Sequence, residues 1–148
     1  MTTINMNLVV FLVSAILAVL FNEISAELTL EEIEKANMVL RKHCQPTSGV
    51  TDEVLDASMK GNFADDRGLK CYLACMMGLS HSLKNKQFRA DLAIRLADDI
   101  LPANIKDRAR AVVEKCRTAA DGLTDECEMA FAIKKCAYQA DPEIYYVQ

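Results

Sequence analysis

Leu69-Lys70-Cys71-Tyr72-Leu73-Ala74-Cys75-Met76-Met77-Gly78-Leu79 is the stretch on which the fold turns. Its apolar residues fall on nearly every side of a 3.6-residue turn, with Lys70 as the main polar exception, so the spacing predicts a helix without a wet face. Two cysteines four positions apart lie about 40° from each other around such a helix, and each is free to reach a different neighbour along one seam. A helix enclosed by apolar partners and tied at two points belongs at the centre of a helical domain.

Capping signals place five more helices around it. Thr29 and Glu32 form a capping box that opens a segment with Leu30, Ile33, Ala36 and Leu40 on one face up to Cys44, and Pro46 predicts a break over Gln45 to Gly49. Thr51 or Asp52 starts a short helix through Val54 and Leu55 that stops near Gly61, and Asp65 or Asp66 caps the central one. Phe88, Leu92, Leu96 and Ile100 make a strict i+4 stripe that Pro102 ends. Asn104 with Asp107 opens a fifth helix, burying Ile105, Ala109, Val112, Val113 and Cys116. Asp125 with Glu128 opens a sixth, which runs towards Tyr138 and stops at Asp141-Pro142. Five glycines and three prolines supply little turn chemistry for a β sandwich, and no strand is expected. The fold class is all-α, with six helices.

The compartment decides what six cysteines mean. An apolar run from Leu8 to Phe21 is shorter than the roughly 18 to 20 residues a spanning helix needs, and it leads into Asn22-Glu23-Ile24-Ser25-Ala26. It reads as a signal peptide cleaved after Ala26, leaving residues 27–148 as a single domain. Export into an oxidising space makes an even cysteine count in a small domain a disulfide framework before it is a metal or redox site. The cysteines stand at 44, 71, 75, 116, 127 and 136, with 26, 3, 40, 10 and 8 residues between them. Cys127 and Cys136 leave their helix from opposite sides, about 180° apart, so that helix is held between two partners. Six cysteines still allow 15 pairings. Three bridges contribute roughly 2 to 5 kcal/mol each, enough to let a small core tolerate a cavity.

Several chemistries lack their residues. Net charge is −4, or −3 without the leader, whose one charged side chain is Glu23, and no Lys/Arg block suits nucleic acid. A single x3 cysteine pair without a matching second pair lacks the spacing of a structural zinc site, and no metal or other cofactor is expected. There is no Gly-x-Ser-x-Gly, and Ser80 and Ser82 stand too close in sequence to His81 to suggest a triad, so no catalytic residue is assigned.

The cysteine pattern resembles that of the insect odorant-binding proteins of the pheromone and general odorant-binding family. Leu69-Lys70-Cys71-Tyr72, Leu96-Ala97-Asp98-Asp99 before Pro102, Cys127-Glu128-Met129-Ala130-Phe131 and Asp141-Pro142-Glu143 add to the likeness. The resemblance implies the interlocked pairs Cys44–Cys75, Cys71–Cys127 and Cys116–Cys136. It also implies a secreted, non-enzymatic carrier enclosing a small apolar semiochemical, in sensillum-lymph-like fluid if the tissue is olfactory. An olfactory receptor or a membrane surface would receive the cargo, and the carrier would be a monomer or weak homodimer.

Ligand-binding candidates follow from these readings. The central helix offers Tyr72, Leu73, Met76, Met77 and Leu79, its adjacent methionines giving a flexible, polarisable wall. Leu92 and Leu96 come from the fourth helix, Val112 and Val113 from the fifth, and Phe131 from the sixth. The chain closes Ile144-Tyr145-Tyr146-Val147-Gln148, apolar where a polar end is the default, and the resemblance implies that residues 141–148 fold over the cavity. Ile144, Tyr145 and Tyr146 are the tail's candidates. His81 is the candidate for an acid-driven release step, while His43 reads as a surface or capping residue. Two other readings stay open: a stapled helical protein acting through its surface, and a carrier of non-olfactory lipids or amines.

Overall fold

The computed structural model describes residues 6, 7, 9–11, 13, 14 and 27–145. Between Leu30 and Tyr145 it contains seven helices and one short hairpin: α1 (Leu30–Ser48), α2 (Asp52–Met59), α3 (Arg67–Leu79), β1 (Leu83–Lys84), β2 (Gln87–Phe88), α4 (Ala90–Ile100), α5 (Ala103–Lys115), α6 (Glu126–Ala140) and α7 (Pro142–Tyr145). All six expected helices form, and α7 is a single added turn. Among the described residues no helix is long and apolar enough to cross a membrane. The cleavage site after Ala26 and the chain end at Tyr146 to Gln148 lie outside the described residues.

Most helix starts are side-chain caps. Thr29 Oγ1 accepts from the Glu32 amide at 3.2 Å while Glu32 accepts from the Thr29 amide at 2.8 Å, closing the capping box. Thr51, Asp66 and Asp125 cap α2, α3 and α6 through the amides of Val54, Leu69 and Glu128. Three boundaries differ from the sequence reading. Pro46 does not break α1, which continues to Ser48. Proline's fixed φ is helical and its missing donor costs one bond in the last turn, where Gly49, at φ 73°, closes the helix by donating to Gln45 O. Pro102, not Asn104, stands at the N-cap of α5, and Glu27 reaches across to the Ala103 amide at 3.3 Å and Lys106 Nζ at 2.8 Å. Phe88 leaves the α4 stripe for β2, because Asn85 and Lys86 adopt positive φ (54° and 57°) and turn the chain into a tight hairpin, Leu83 pairing with Phe88.

Two apolar clusters meet on α6. Leu55, Leu69, Leu73, Met77 and Leu83 pack with its Met129, Ala130 and Ile133. Ile33, Ala97, Leu101, Ala109, Val112, Ile144 and Tyr145 pack with its Ala137. α6 is thus apolar on two sides, as an element between two partners must be. The disulfides fix that arrangement: Cys44–Cys75 joins α1 to α3, Cys71–Cys127 joins α3 to α6, and Cys116–Cys136 joins the end of α5 to α6. These are the interlocked pairs, and Cys116 serves as the C-cap of α5 instead of lying within it.

Candidate functional site

Where α1, α3, α4, α5 and α6 converge they leave a cavity of about 200 Å³. Helical spacing decides which side chains reach it. α1 contributes Ile33, Ala36, Asn37 and Leu40; α4 contributes Ala93, Leu96, Ala97 and Ile100, again at steps of three and four. Met76 and Met77 come from α3, Val112 and Val113 from α5, and Ile133, Lys134 and Ala137 from α6, with Phe88 entering from the hairpin. The lining is mostly aliphatic. A second cavity of about 490 Å³ lies among α1, α2, α3 and α7, with Leu55, Met59, Tyr72, Leu73 and Tyr145 in its wall beside the charged Glu34, Arg41 and Glu143. Ile33 and Asn37 border both.

The candidate ligand residues therefore divide. Met76, Met77, Leu96, Val112 and Val113 line the first cavity; Tyr72, Leu73 and Tyr145 line the second. Leu79 is exposed at the end of α3, and Leu92 is half-buried one step off the α4 face that the cavity uses. Phe131 packs against the α3 side of the core, and Ile144 is wholly buried in the α7 side; neither lines either of these two cavities. Tyr146 lies outside the described residues. His81 is exposed at φ 57° and lines neither cavity, although its neighbours Ser80 and Ser82 line the first. His43 is exposed on α1.

Two groups in or near the walls escaped the sequence reading. Phe63, in the segment between α2 and α3, centres an edge-to-face cluster with Phe131, Tyr138 and Tyr145 at 5.7 to 5.8 Å between ring centroids. Lys134, on α6, lines the first cavity and sits 5.8 Å from the centre of the Tyr145 ring. Desolvation lowers its ammonium from the ordinary lysine value to about 8. It stands one residue after Ile133 and three before Ala137, both of which line the same cavity. Burial acts oppositely on the Tyr72 phenol and raises it.

A helical domain with three interlocked disulfides around an aliphatic cavity has counterparts. The PBP/GOBP family model matches residues 25–140. The chain belongs to the PBP/GOBP family. As a member, it is 33% identical over 119 residues to General odorant-binding protein 72 of Anopheles gambiae, covering 80% of this chain and 98% of that one. Its fold is similar to that in the crystal structure of Odorant Binding Protein 4 from Chrysopa pallens, with a TM-score of 0.74, 31% identity, and 80% and 98% of the two chains covered. Apis mellifera odorant binding protein 5 gives a TM-score of 0.75 at 27% identity, over 81% of this chain and 98% of that one. Family and fold are those of hydrophobic-ligand carriers, not enzymes.

Proposed function

We propose that this protein is a secreted carrier that takes small apolar molecules, odorants or related semiochemicals, into its aliphatic cavity and moves them through extracellular fluid. Membership of the odorant-binding family supports the reading, and the observation that carries it is the cavity bounded by five helices. Three disulfides around a hole of this kind stabilise the surrounding helices without filling it. The apolar leader ending at Ala26 supports secretion, and Tyr145 in the wall of the second cavity supports a tail that packs beside the site.

Cavity size bounds the cargo. An apolar cavity of about 150 Å³ accepts benzene, so one of about 200 Å³ suits a ligand of roughly eight to ten heavy atoms. At about 0.7 kcal/mol per heavy atom, such a ligand binds with roughly 6 kcal/mol, or tens of micromolar. Larger ligands require the walls to yield, and Met76 and Met77 are the side chains able to do so.

The test is displacement of an apolar fluorescent probe by alcohols, esters, aldehydes and fatty acids, with Met76→Ala and Tyr145→Ala alongside. Displacement in the micromolar range, changed by about fivefold or more in Met76→Ala, is expected. Failure of every compound to displace the probe would sink the carrier reading.

A further inference from the structure

The second cavity, among α1, α2, α3 and α7, differs in chemistry from the first. At about 490 Å³ it falls within the ordinary range for a small-ligand site. Leu30, Glu34, Asn37, Met38 and Arg41 recur at steps of three and four, so α1 presents them along one face. Leu30 and Met38 remain exposed there, and Met59 adds a third exposed apolar side chain from α2. Apolar surface left open around a concavity is surface that a ligand can cover.

Charge then sorts the ligands. Arg41 donates from Nη2 to Asp52 Oδ1 at 2.6 Å and from Nε to Gln45 Oε1 at 3.1 Å, with Asp56 at 4.0 Å. Glu143 accepts from Arg108 Nη2 at 2.8 Å. Two of the three charged side chains in the wall are thus answered by an opposite charge. Glu34, the third, has no hydrogen-bond or ion-pair partner among the described residues. Nor do the Asn37 carboxamide and the Tyr72 hydroxyl, which leaves a carbonyl and a phenol oxygen as further acceptors.

We propose that the second cavity binds organic monocations of the alkylammonium type, the ammonium pairing with Glu34, with Asn37 and Tyr72 as further acceptors, and the alkyl chain covering Leu30, Met38 and Met59. The inference goes beyond the carrier reading, which rests on the first cavity. An ammonium has three donors and no acceptor, matching a wall whose unanswered groups are a carboxylate and two acceptor oxygens. The Tyr72 ring offers a cation a further attractive face. Burial raises the Tyr72 phenol, although Arg41 pulls the other way, so it stays neutral at pH 7 and adds no second charge. A carboxylate ligand would meet Glu34 and Glu143 as like charges, and a neutral alcohol would leave Glu34 unanswered.

The methionines separate the two cavities: of the two, Met38 and Met59 line the second alone, and Met76 and Met77 the first alone. The test is an NMR titration of the full chain, methyl-labelled at methionine, at pH 7. Hexylammonium chloride is expected to shift the Met38 and Met59 methyls with about fivefold higher affinity than hexan-1-ol read on the same signals. Primary amines ionise at about pH 10, so hexylamine is charged throughout. Glu34→Gln, a change at an exposed position, should bring the ratio to near one, and Tyr72→Phe should narrow it in part. Added salt should narrow the wild-type ratio as well. Equal affinities in the wild type, an unchanged ratio in Glu34→Gln, or absence of shifts at Met38 and Met59 would each overturn the proposal. The carrier reading is scored separately in the same samples, by the response of Met76 and Met77 to hexan-1-ol.

Discussion

Lys134 carries a cost that pH can reveal. Burial lowers its ammonium from 10.5 to about 8, so below about pH 8 both folded and unfolded chains hold the proton and the desolvation penalty is present in full. As pH rises through 8 the folded chain releases its proton before the unfolded one does, and stability increases. Between pH 8 and 9.5 the gain from this group is roughly 1.5 kcal/mol, and urea midpoints measured across that range should rise in the wild type and stay flat in Lys134→Met. The window stops short of pH 10 because Tyr72, raised by burial, acts with the opposite sign above it. The same residue shows what single positions conceal. Its charge marks it as surface on a helix plot, yet its ammonium is desolvated inside, because only a neighbouring wall makes that face internal. Phe63 was equally hidden: it belongs to no periodic segment, and its role depends on three rings brought in from α6 and α7. Gly61 holds the same cluster in place from the backbone. Its φ is 86°, and a Cβ there would run into the Tyr138 ring.

Elements were legible where a side chain announces their ends. Thr29 and Asp125 cap where the sequence places them, and of the pairs Thr51/Asp52 and Asp65/Asp66 it is Thr51 and Asp66 that cap, because the bond from cap oxygen to the third amide on is local and needs no tertiary partner. Pro46 reads as a break and the hairpin at Asn85-Lys86 is not foreseen for one reason: proline at a C-terminal turn and two non-glycine residues at positive φ are each mildly unfavourable locally and are tolerated by context. The one-turn α7 depends on context most of all. Asp141 Oδ1 accepts from the Glu143 and Ile144 amides at 3.1 and 3.3 Å, while Arg108 on α5 holds both Asp141 oxygens at 2.8 and 3.0 Å and Glu143 at 2.8 Å. Burial pushes the Asp141 carboxyl up, but Arg108 and the two amides outweigh it and keep the group below its ordinary value of 3.8. This tether therefore persists at pH 5 and is lost only as pH falls through that lowered value, so loosening of the tail in mild acid would need another group. Arg108→Ala should accelerate amide hydrogen exchange over residues 143–145 at neutral pH while leaving α1 to α3 unchanged. Equal exchange in both proteins would show that Ile144 and Tyr145 hold α7 by packing alone.

At the scale of the molecule, the three disulfides divide the walls of the cavity into stapled and unstapled parts. α1, α3, α5 and α6 are linked in one covalent chain of contacts, whereas α4 carries no cysteine and is held by packing on α5 and by the hairpin before it. Leu96 on α4 borders the cavity and is still 37% exposed, so the wall without a staple is also open to solvent. The helical composition and cysteine spacing were enough to foresee a stapled bundle, but the identity of the unstapled wall follows only from knowing which helices the staples miss. The staples themselves are unequal. Their sequence separations are 56, 31 and 20 for Cys71–Cys127, Cys44–Cys75 and Cys116–Cys136. Loop-closure entropy then assigns them about 4.2, 3.7 and 3.3 kcal/mol, a spread of about 0.9 kcal/mol. Packing favours a different order, because Cys44 and Cys116 are fully buried and Cys71 and Cys127 are half-exposed. Paired Cys→Ala replacements, which add no buried hydroxyl, should lower the thermal midpoint most for Cys71–Cys127 and least for Cys116–Cys136 if chain entropy dominates. A reversed order would mean that the bridges act chiefly by filling the core around the cavity.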